Sequence, residues 1–141
     1  MQDTLRKLPG KELELARVLL VDDDLTSRLT LQTILEAGGY FVDSAASAAE
    51  AVGKLDECQY ELVLSDLRME SPQAGLKVIA HARHMEYKPA TAILTTYRNN
   101  YPDQPQPVLI EPQDLPNLLG KVADLISQRA ARMVERQLRQ A

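Results

Sequence analysis

Ala16-Arg17-Val18-Leu19-Leu20-Val21-Asp22-Asp23-Asp24 is a short apolar run that stops at three consecutive acids. A run of this length, closed abruptly by charge, reads as a strand buried on both faces. The period then changes. Leu25, Leu29, Ile34 and Leu35 fall close to helical spacing between Leu25 and Ala37. Gly38-Gly39 supplies the stop, because glycine accepts the left-handed backbone that closes helices.

The strand-then-helix pattern repeats outward from this pair. Tyr40 to Ala45 is a second strand, and Ser47 with Glu50 forms a capping box for a helix running to about Cys58. Tyr60 to Ser65 is a third strand. A helix follows over Gly75 to Met85, with Leu76, Ile79 and Ala80 on one side, and Lys88-Pro89 ends it. Ala90 to Leu94 is a fourth strand. Tyr97 to Pro107 holds Pro102, Pro105 and Pro107, which block helix interiors, so a loop is expected there. Val108 to Ile110 is a short fifth strand. A last helix begins near Gln113 or Leu115 and carries the stripe Leu115, Leu118, Leu119, Val122, Leu125 and Ile126. Met1 to Glu14 is charged and broken by Pro9-Gly10. The expected organisation is an N-terminal extension over 1–15, one α/β domain over 16–126 and a helical extension over 127–141.

Strands alternating with helices imply a doubly wound parallel sheet covered on both faces. In such sheets ligands bind beyond the carboxyl ends of the strands. The first strand ends in Asp22-Asp23-Asp24, the third in Ser65-Asp66 and the fourth in Thr95-Thr96, so carboxylates and hydroxyls converge on one edge. Clustered carboxylates resist joint ionisation. A hard divalent cation such as Mg²⁺ relieves that repulsion. A metal-bound carboxylate beside a free hydroxyl suits phosphoryl transfer, where charge neutralisation and positioning carry most of the catalysis. The competing reading of the Asp triplet is a helix cap that also favours the helix dipole.

The composition bounds what else the chain does. It has 141 residues, of which 45% are hydrophobic, enough for the core of one domain. Its single cysteine, Cys58, excludes an intrachain disulfide, fits a reducing, cytoplasmic setting and reads as core filler. No apolar run reaches the roughly 18 residues of a membrane span, and no signal peptide opens the chain. The formal net charge of −4 argues against nucleic acid as the main partner.

Four segments resemble the receiver domain of bacterial two-component response regulators. Val18 to Asp24 resembles its first-strand motif, and Gly38-Gly39-Tyr40 through Glu50-Ala51-Val52 its second strand and helix. Tyr60-Glu61-Leu62-Val63-Leu64-Ser65-Asp66-Leu67-Arg68-Met69 resembles the phosphoacceptor segment, and Ala92-Ile93-Leu94-Thr95-Thr96-Tyr97 the fourth strand with its hydroxyl. The resemblance implies a flavodoxin-like, five-stranded parallel sheet of order 2-1-3-4-5. It implies that Asp66 accepts a phosphoryl group from a histidine kinase or phosphotransfer protein. Asp23, Asp66 and the backbone carbonyl of Arg68 would bind Mg²⁺ directly, with Asp22 acting through a metal-bound water. Thr95 would hydrogen-bond the phosphoryl oxygen and carry the switch. The domain would be regulatory, its chemistry limited to its own phosphorylation and dephosphorylation. It would stand alone, without an output module, and signal to an unidentified downstream protein or by dimerisation.

Three features depart from the family. Glu111-Pro112 stands where the family has Lys-Pro, placing an acid where a cation pairs with the acceptor. The chain from Thr95 to Glu111 is short and proline-rich, so the fourth helix of the family is expected to be absent or reduced, and Val108 takes the place of its aromatic switch residue. The loop Met69 to Gly75 is one residue longer than usual. A phosphorylation-independent pseudo-receiver acting as a binding module is therefore the first alternative. The second is a haloacid-dehalogenase-like phosphatase, because Asp22-Asp23-Asp24-Leu25-Thr26 fits its Asp-x-Asp-x-Thr pattern with Asp22 as nucleophile and Asp24 as acid/base.

Two further groups stand out. His81 and His84 are three apart on a helix, where solvated surface outweighs a metal pair. Arg129, Arg132, Arg136 and Arg139 alternate with Ala130, Met133, Val134 and Leu138 in the last segment. That pattern suits a solvated helix end or a helix that pairs with a second copy or a partner.

Overall fold

The computed structural model describes residues 16–67, 69–95 and 108–140. The expected N-terminal extension, Arg68, the proline-rich loop and the reduced fourth helix fall outside these residues.

Five strands form one parallel sheet: β1 (Arg17–Val21), β2 (Phe41–Ala45), β3 (Leu62–Asp66), β4 (Ala90–Leu94) and β5 (Leu109–Ile110), in the order β2-β1-β3-β4-β5. The helices are α1 (Leu25–Ala37), α2 (Ala48–Glu57), α3 (Ala74–Arg83) and α4 (Leu118–Gln140), with a 3₁₀ turn over Pro112–Asn117 before α4. Alternate strand residues feed two separate cores. Val18, Leu20, Leu62, Leu64 and Ala92 pack with Leu35 of α1 and Val122 of α4. Leu19, Val21, Val63 and Ile93 pack with Leu55 of α2 and Val78 of α3 on the other face. Burial on both faces explains why the strands read as continuous apolar runs.

Local chemistry fixes the element ends. Asp24 caps α1 by accepting from the Ser27 amide at 2.8 Å, and Ser47 caps α2 by accepting from Glu50 at 3.1 Å. Glu50 reaches back to the Ala46 amide at 2.8 Å, one residue beyond the amide of the usual box. Beyond α1 the chain reverses through Gly39 at φ 99°, the left-handed backbone that glycine tolerates.

Several expectations are corrected in detail. β3 starts at Leu62 rather than Tyr60, because Leu62 is the first residue in register with both Val18 and Ala90. Tyr60 is instead fully buried, with its hydroxyl donating to Asp43 at 2.7 Å. α3 ends at Arg83, ahead of Lys88-Pro89, and the connection passes through Lys88 at φ 45°. Leu25 and Leu29 are 58% and 53% exposed, while Leu31 and Leu35 are buried. Each exposed leucine lies six residues before a buried one, about 240° around the helix, so the two pairs occupy different faces. Leu115 and Leu119 likewise stay exposed, and Leu118, Val122 and Leu125 carry the docking of α4.

The start of α3 lies directly on the end of β3. A Cβ on Gly75 would come within 2.8 Å of the Leu67 Cα and 2.9 Å of the Asp66 carbonyl carbon. Nothing lies within 4 Å of the same atom on Gly53. Gly75→Ala is expected to lower stability by about 1–3 kcal/mol through backbone overlap, and Gly53→Ala to raise it by about 0.5–1 kcal/mol through helix propensity. Urea denaturation of both variants checks this, and equal midpoints would contradict the close packing.

Candidate functional site

Parallel pairing sends every strand's carboxyl end to one edge. Val21 is in register with Ser65, so Asp22 and Asp66 follow on adjacent strands. Asp66 is in register with Leu94, and Thr95 comes next. The Thr95 amide donates to the Ile110 carbonyl at 3.0 Å, which sets Glu111 just beyond.

The three consecutive acids divide the work. Asp24 is the helix cap. Asp22 is 3% exposed, and its amide donates to the Ala45 carbonyl at 3.0 Å. The Asp22 carboxylate accepts from the Asp24 amide at 3.0 Å. Asp23 is exposed and Asp66 half-buried. Carboxylate oxygens of Asp22, Asp23 and Asp66 all lie within 4.8 Å of one another, a group able to hold a metal ion. The capping reading holds for Asp24, while Asp22 and Asp23 are the members of the triplet that stand with Asp66.

Asp66 feels this crowding. Burial pushes its carboxyl up from 3.8 to about 6, the charges of Asp22, Asp23 and Asp24 add to the rise, and a Leu67 backbone hydrogen bond opposes it. Burial and like charge both disfavour the ionised form. Three hard oxygen donors and an unfavourably crowded carboxylate set fit Mg²⁺.

Thr95 is buried at 5% exposure at the same edge. Glu111 is half-buried, and its backbone opens the 3₁₀ turn: its amide donates to the Asp114 carboxylate at 3.0 Å, and its carbonyl accepts from the Asp114 amide at 2.8 Å. Arg68, the expected carbonyl ligand, lies outside the described residues. The histidines form no metal pair: His81 Nε2 lies 2.8 Å from Asp56, tying α3 to α2, while His84 is exposed. Cys58 packs partly buried against the second core. Asp24, the acid/base of the phosphatase alternative, serves as the helix cap by accepting the Ser27 amide.

Two residues near the site escaped the sequence reading. Arg28 donates through Nη1 to the Asp22 carbonyl at 2.8 Å, bringing a cation to the acidic edge. Its signal was a basic residue one turn into the helix that follows three acids. Glu70 accepts from the Ala48 amide at 2.9 Å and so ties the long loop after β3 to the start of α2. Nothing in the sequence paired those distant positions.

Residues 18–106 match the family model of the response regulator receiver domain. The chain belongs to that family. This receiver domain is 36% identical over 78 residues to the transcriptional regulatory protein ResD of Bacillus subtilis, a match covering 55% of the chain and 31% of ResD. It is 31% identical over 128 residues to the transcriptional regulatory protein GlrR of Escherichia coli, covering 86% of the chain and 28% of GlrR. The chain thus spans about a third or less of these relatives. Among solved structures it is similar to the response regulator TrrA of Thermotoga maritima in complex with Mg²⁺-BeF, with TM-score 0.68, 28% identity, and coverage of 79% of this chain and 99% of TrrA. Its function class is that of two-component receiver domains, which work in phosphorelay signalling with histidine kinases or phosphotransfer proteins. Among the described residues no helix is long and apolar enough to cross a membrane.

The raised Asp66 has a measurable consequence. The folded protein holds that proton more tightly than the unfolded chain, so its contribution favours folding below about pH 4 and is lost as pH rises through about 6. Asp66→Asn removes the penalty and, in EDTA at neutral pH, is expected to stabilise the fold by about 1 kcal/mol, a figure discounted for solvent screening at a half-buried group. Thermal melts across pH check this. The gain should vanish near the acid end of the range, and a gain independent of pH would contradict the electrostatic origin.

Proposed function

We propose that Asp66 is the phosphoacceptor of a Mg²⁺-dependent phosphorelay switch. The carrying observation is the convergence of Asp22, Asp23 and Asp66 within 4.8 Å, with Asp66 at the last position of β3. Asp23 and Asp66 would hold Mg²⁺ together with the Arg68 carbonyl, and Asp22 would complete the carboxylate set. Bound there, Mg²⁺ would neutralise the crowded carboxylates and the incoming phosphoryl oxygens. A carboxylate oxygen of Asp66 attacks phosphorus, the phosphorus–nitrogen bond of the donor phosphohistidine breaks, and the freed imidazole takes up a proton. Thr95, one residue beyond the register partner of Asp66, donates its hydroxyl to a phosphoryl oxygen and passes the change to β5 through the hydrogen bond its amide donates to the Ile110 carbonyl.

The chain acts as a regulatory domain rather than a turnover enzyme, in the cytoplasm, taking phosphoryl groups from a histidine kinase or phosphotransfer protein. Its receiver unit is residues 16–126, preceded by an extension over 1–15 and followed by the helical extension over 127–141. Val134 and Leu138, 56% and 70% exposed on α4, support a homodimer or downstream-protein contact through that extension. Glu111 favours a second reading, the pseudo-receiver that signals by binding alone.

Intact-mass analysis after incubation with acetyl phosphate, and separately with a phosphorylated histidine kinase, decides between them. One added phosphoryl group is expected with Mg²⁺, lost in Asp66→Asn and without Mg²⁺; no adduct from either donor would leave the pseudo-receiver. Glu111→Lys is expected to raise the yield, because it removes a like charge whose repulsion of the phosphoryl group, at several ångströms, is no more than about 4 kcal/mol. An unchanged yield would mean that Glu111 faces away from the acceptor.

A further inference from the structure

The amino edge of the sheet carries the opposite charge. There a cleft of about 430 Å³ opens between α4, the α3–β4 connection and the starts of β4 and β5. Five cations among the described residues line it: Arg83, Lys88, Arg129, Arg132 and Arg136. Among the described residues no acid lines it, although the chain carries a formal net charge of −4. Its floor is apolar where Pro89, Ala90 and Leu125 are buried.

The cleft is built rather than incidental. Arg129 donates through Nε to the Lys88 carbonyl at 2.9 Å and through Nη2 to the Tyr87 carbonyl at 2.7 Å. Lys88 donates through Nζ to the Arg83 carbonyl at 2.8 Å. These bonds fix α4 against the left-handed turn at Lys88. Arg83, Arg132 and Arg136 are left without a carboxylate partner among the described residues, whose ion pairs join Arg17 to Asp43, His81 to Asp56, Lys121 to Asp114 and Arg139 to Glu135. Arg129, Arg132 and Arg136 are three and four apart, so they share one helical face and repel one another. The helix dipole favours cations only in the last turn. It accounts for Arg139 and not for cations brought to the same cleft from α3 and the turn.

We infer that this cleft binds a small phosphorylated organic anion of the nucleotide class. Guanidinium groups match phosphate oxygens two at a time. The volume lies in the range of small-ligand pockets, and the apolar floor suits a flat organic body beside the phosphates. The site lies at the opposite edge of the sheet from Asp66 and does not depend on the acceptor reading.

Calorimetric titration of the full chain with ATP in magnesium-free buffer containing EDTA tests it. Saturable binding is expected, weakened by salt and weakened about tenfold or more in Arg132→Ala/Arg136→Ala. Arg83→Ala, from a different element, is expected to weaken it as well, and Lys77→Ala, outside the cleft, to leave it unchanged. Melting curves verify that each variant is folded. Three results would overturn the inference: no saturable binding of ATP, binding indifferent to the arginines, or inorganic phosphate binding as tightly as ATP. A DNA duplex that binds more tightly than ATP through the same arginines would also overturn it, in favour of a nucleic-acid surface.

Discussion

Parallel pairing of β1 with β3, with Val21 set against Ser65, is the constraint from which the site follows. Once those strands are in register, Asp22 and Asp66 leave the sheet side by side, and no further folding information is needed to bring them together. The pairing is held by side chains buried on both faces, so a slip of one residue would exchange the two cores and move Asp66 away from its partners. The apolar runs that build the core therefore also aim the carboxylates. The cost is electrostatic. Three acids share one small volume, and Asp66 carries part of that cost in its raised carboxyl.

The surroundings moderate this repulsion without removing it. The Asp24 amide satisfies one oxygen of Asp22, and Arg28 places its guanidinium on the Asp22 carbonyl. Asp24 turns its own charge to the start of α1, where the helix dipole receives it. Asp23 and Asp66 lie further out, and the Leu67 backbone hydrogen bond offsets only part of the rise at Asp66. A site poised this way gains more from a divalent cation than a neutral cleft would, because the cation relieves strain already present in the fold. Glu111 fits the same logic. Its backbone is committed to opening the 3₁₀ turn with Asp114, so an acid stands at the end of β5 in a capping arrangement.

What the sequence made legible was whatever depends on short range. α1 over Leu25–Ala37 and β4 over Ala90–Leu94 stand where the apolar runs and stop signals put them. Asp22, Asp23 and Asp66 were legible because strand ends in a parallel sheet share an edge. What was not legible depended on pairing at a distance. Tyr60 looks like the start of a strand, but its hydroxyl finds Asp43 and its ring fills the second core. Leu25 and Leu29 look like core because periodicity alone cannot say which face of α1 meets the sheet. Glu70 at the start of α2 and Arg129 at the Lys88 turn are contacts across 22 and 41 residues, for which one sequence holds no record.

α4 joins the two edges. It begins just after the Glu111 turn, beside the strand end that accepts the Thr95 amide hydrogen bond, and it continues to the opposite edge, where Arg129 grips the turn after α3. Its buried stripe, Leu118, Val122 and Leu125, lies between those attachments. The first half of this helix, attached at its start and again at Arg129 and packed between, is held as one piece. The same element therefore bounds an acidic edge and a basic one, and the opposite charges of these edges follow from what each must hold: carboxylates aimed past the strand ends at one, and arginines spaced along a single helical face at the other.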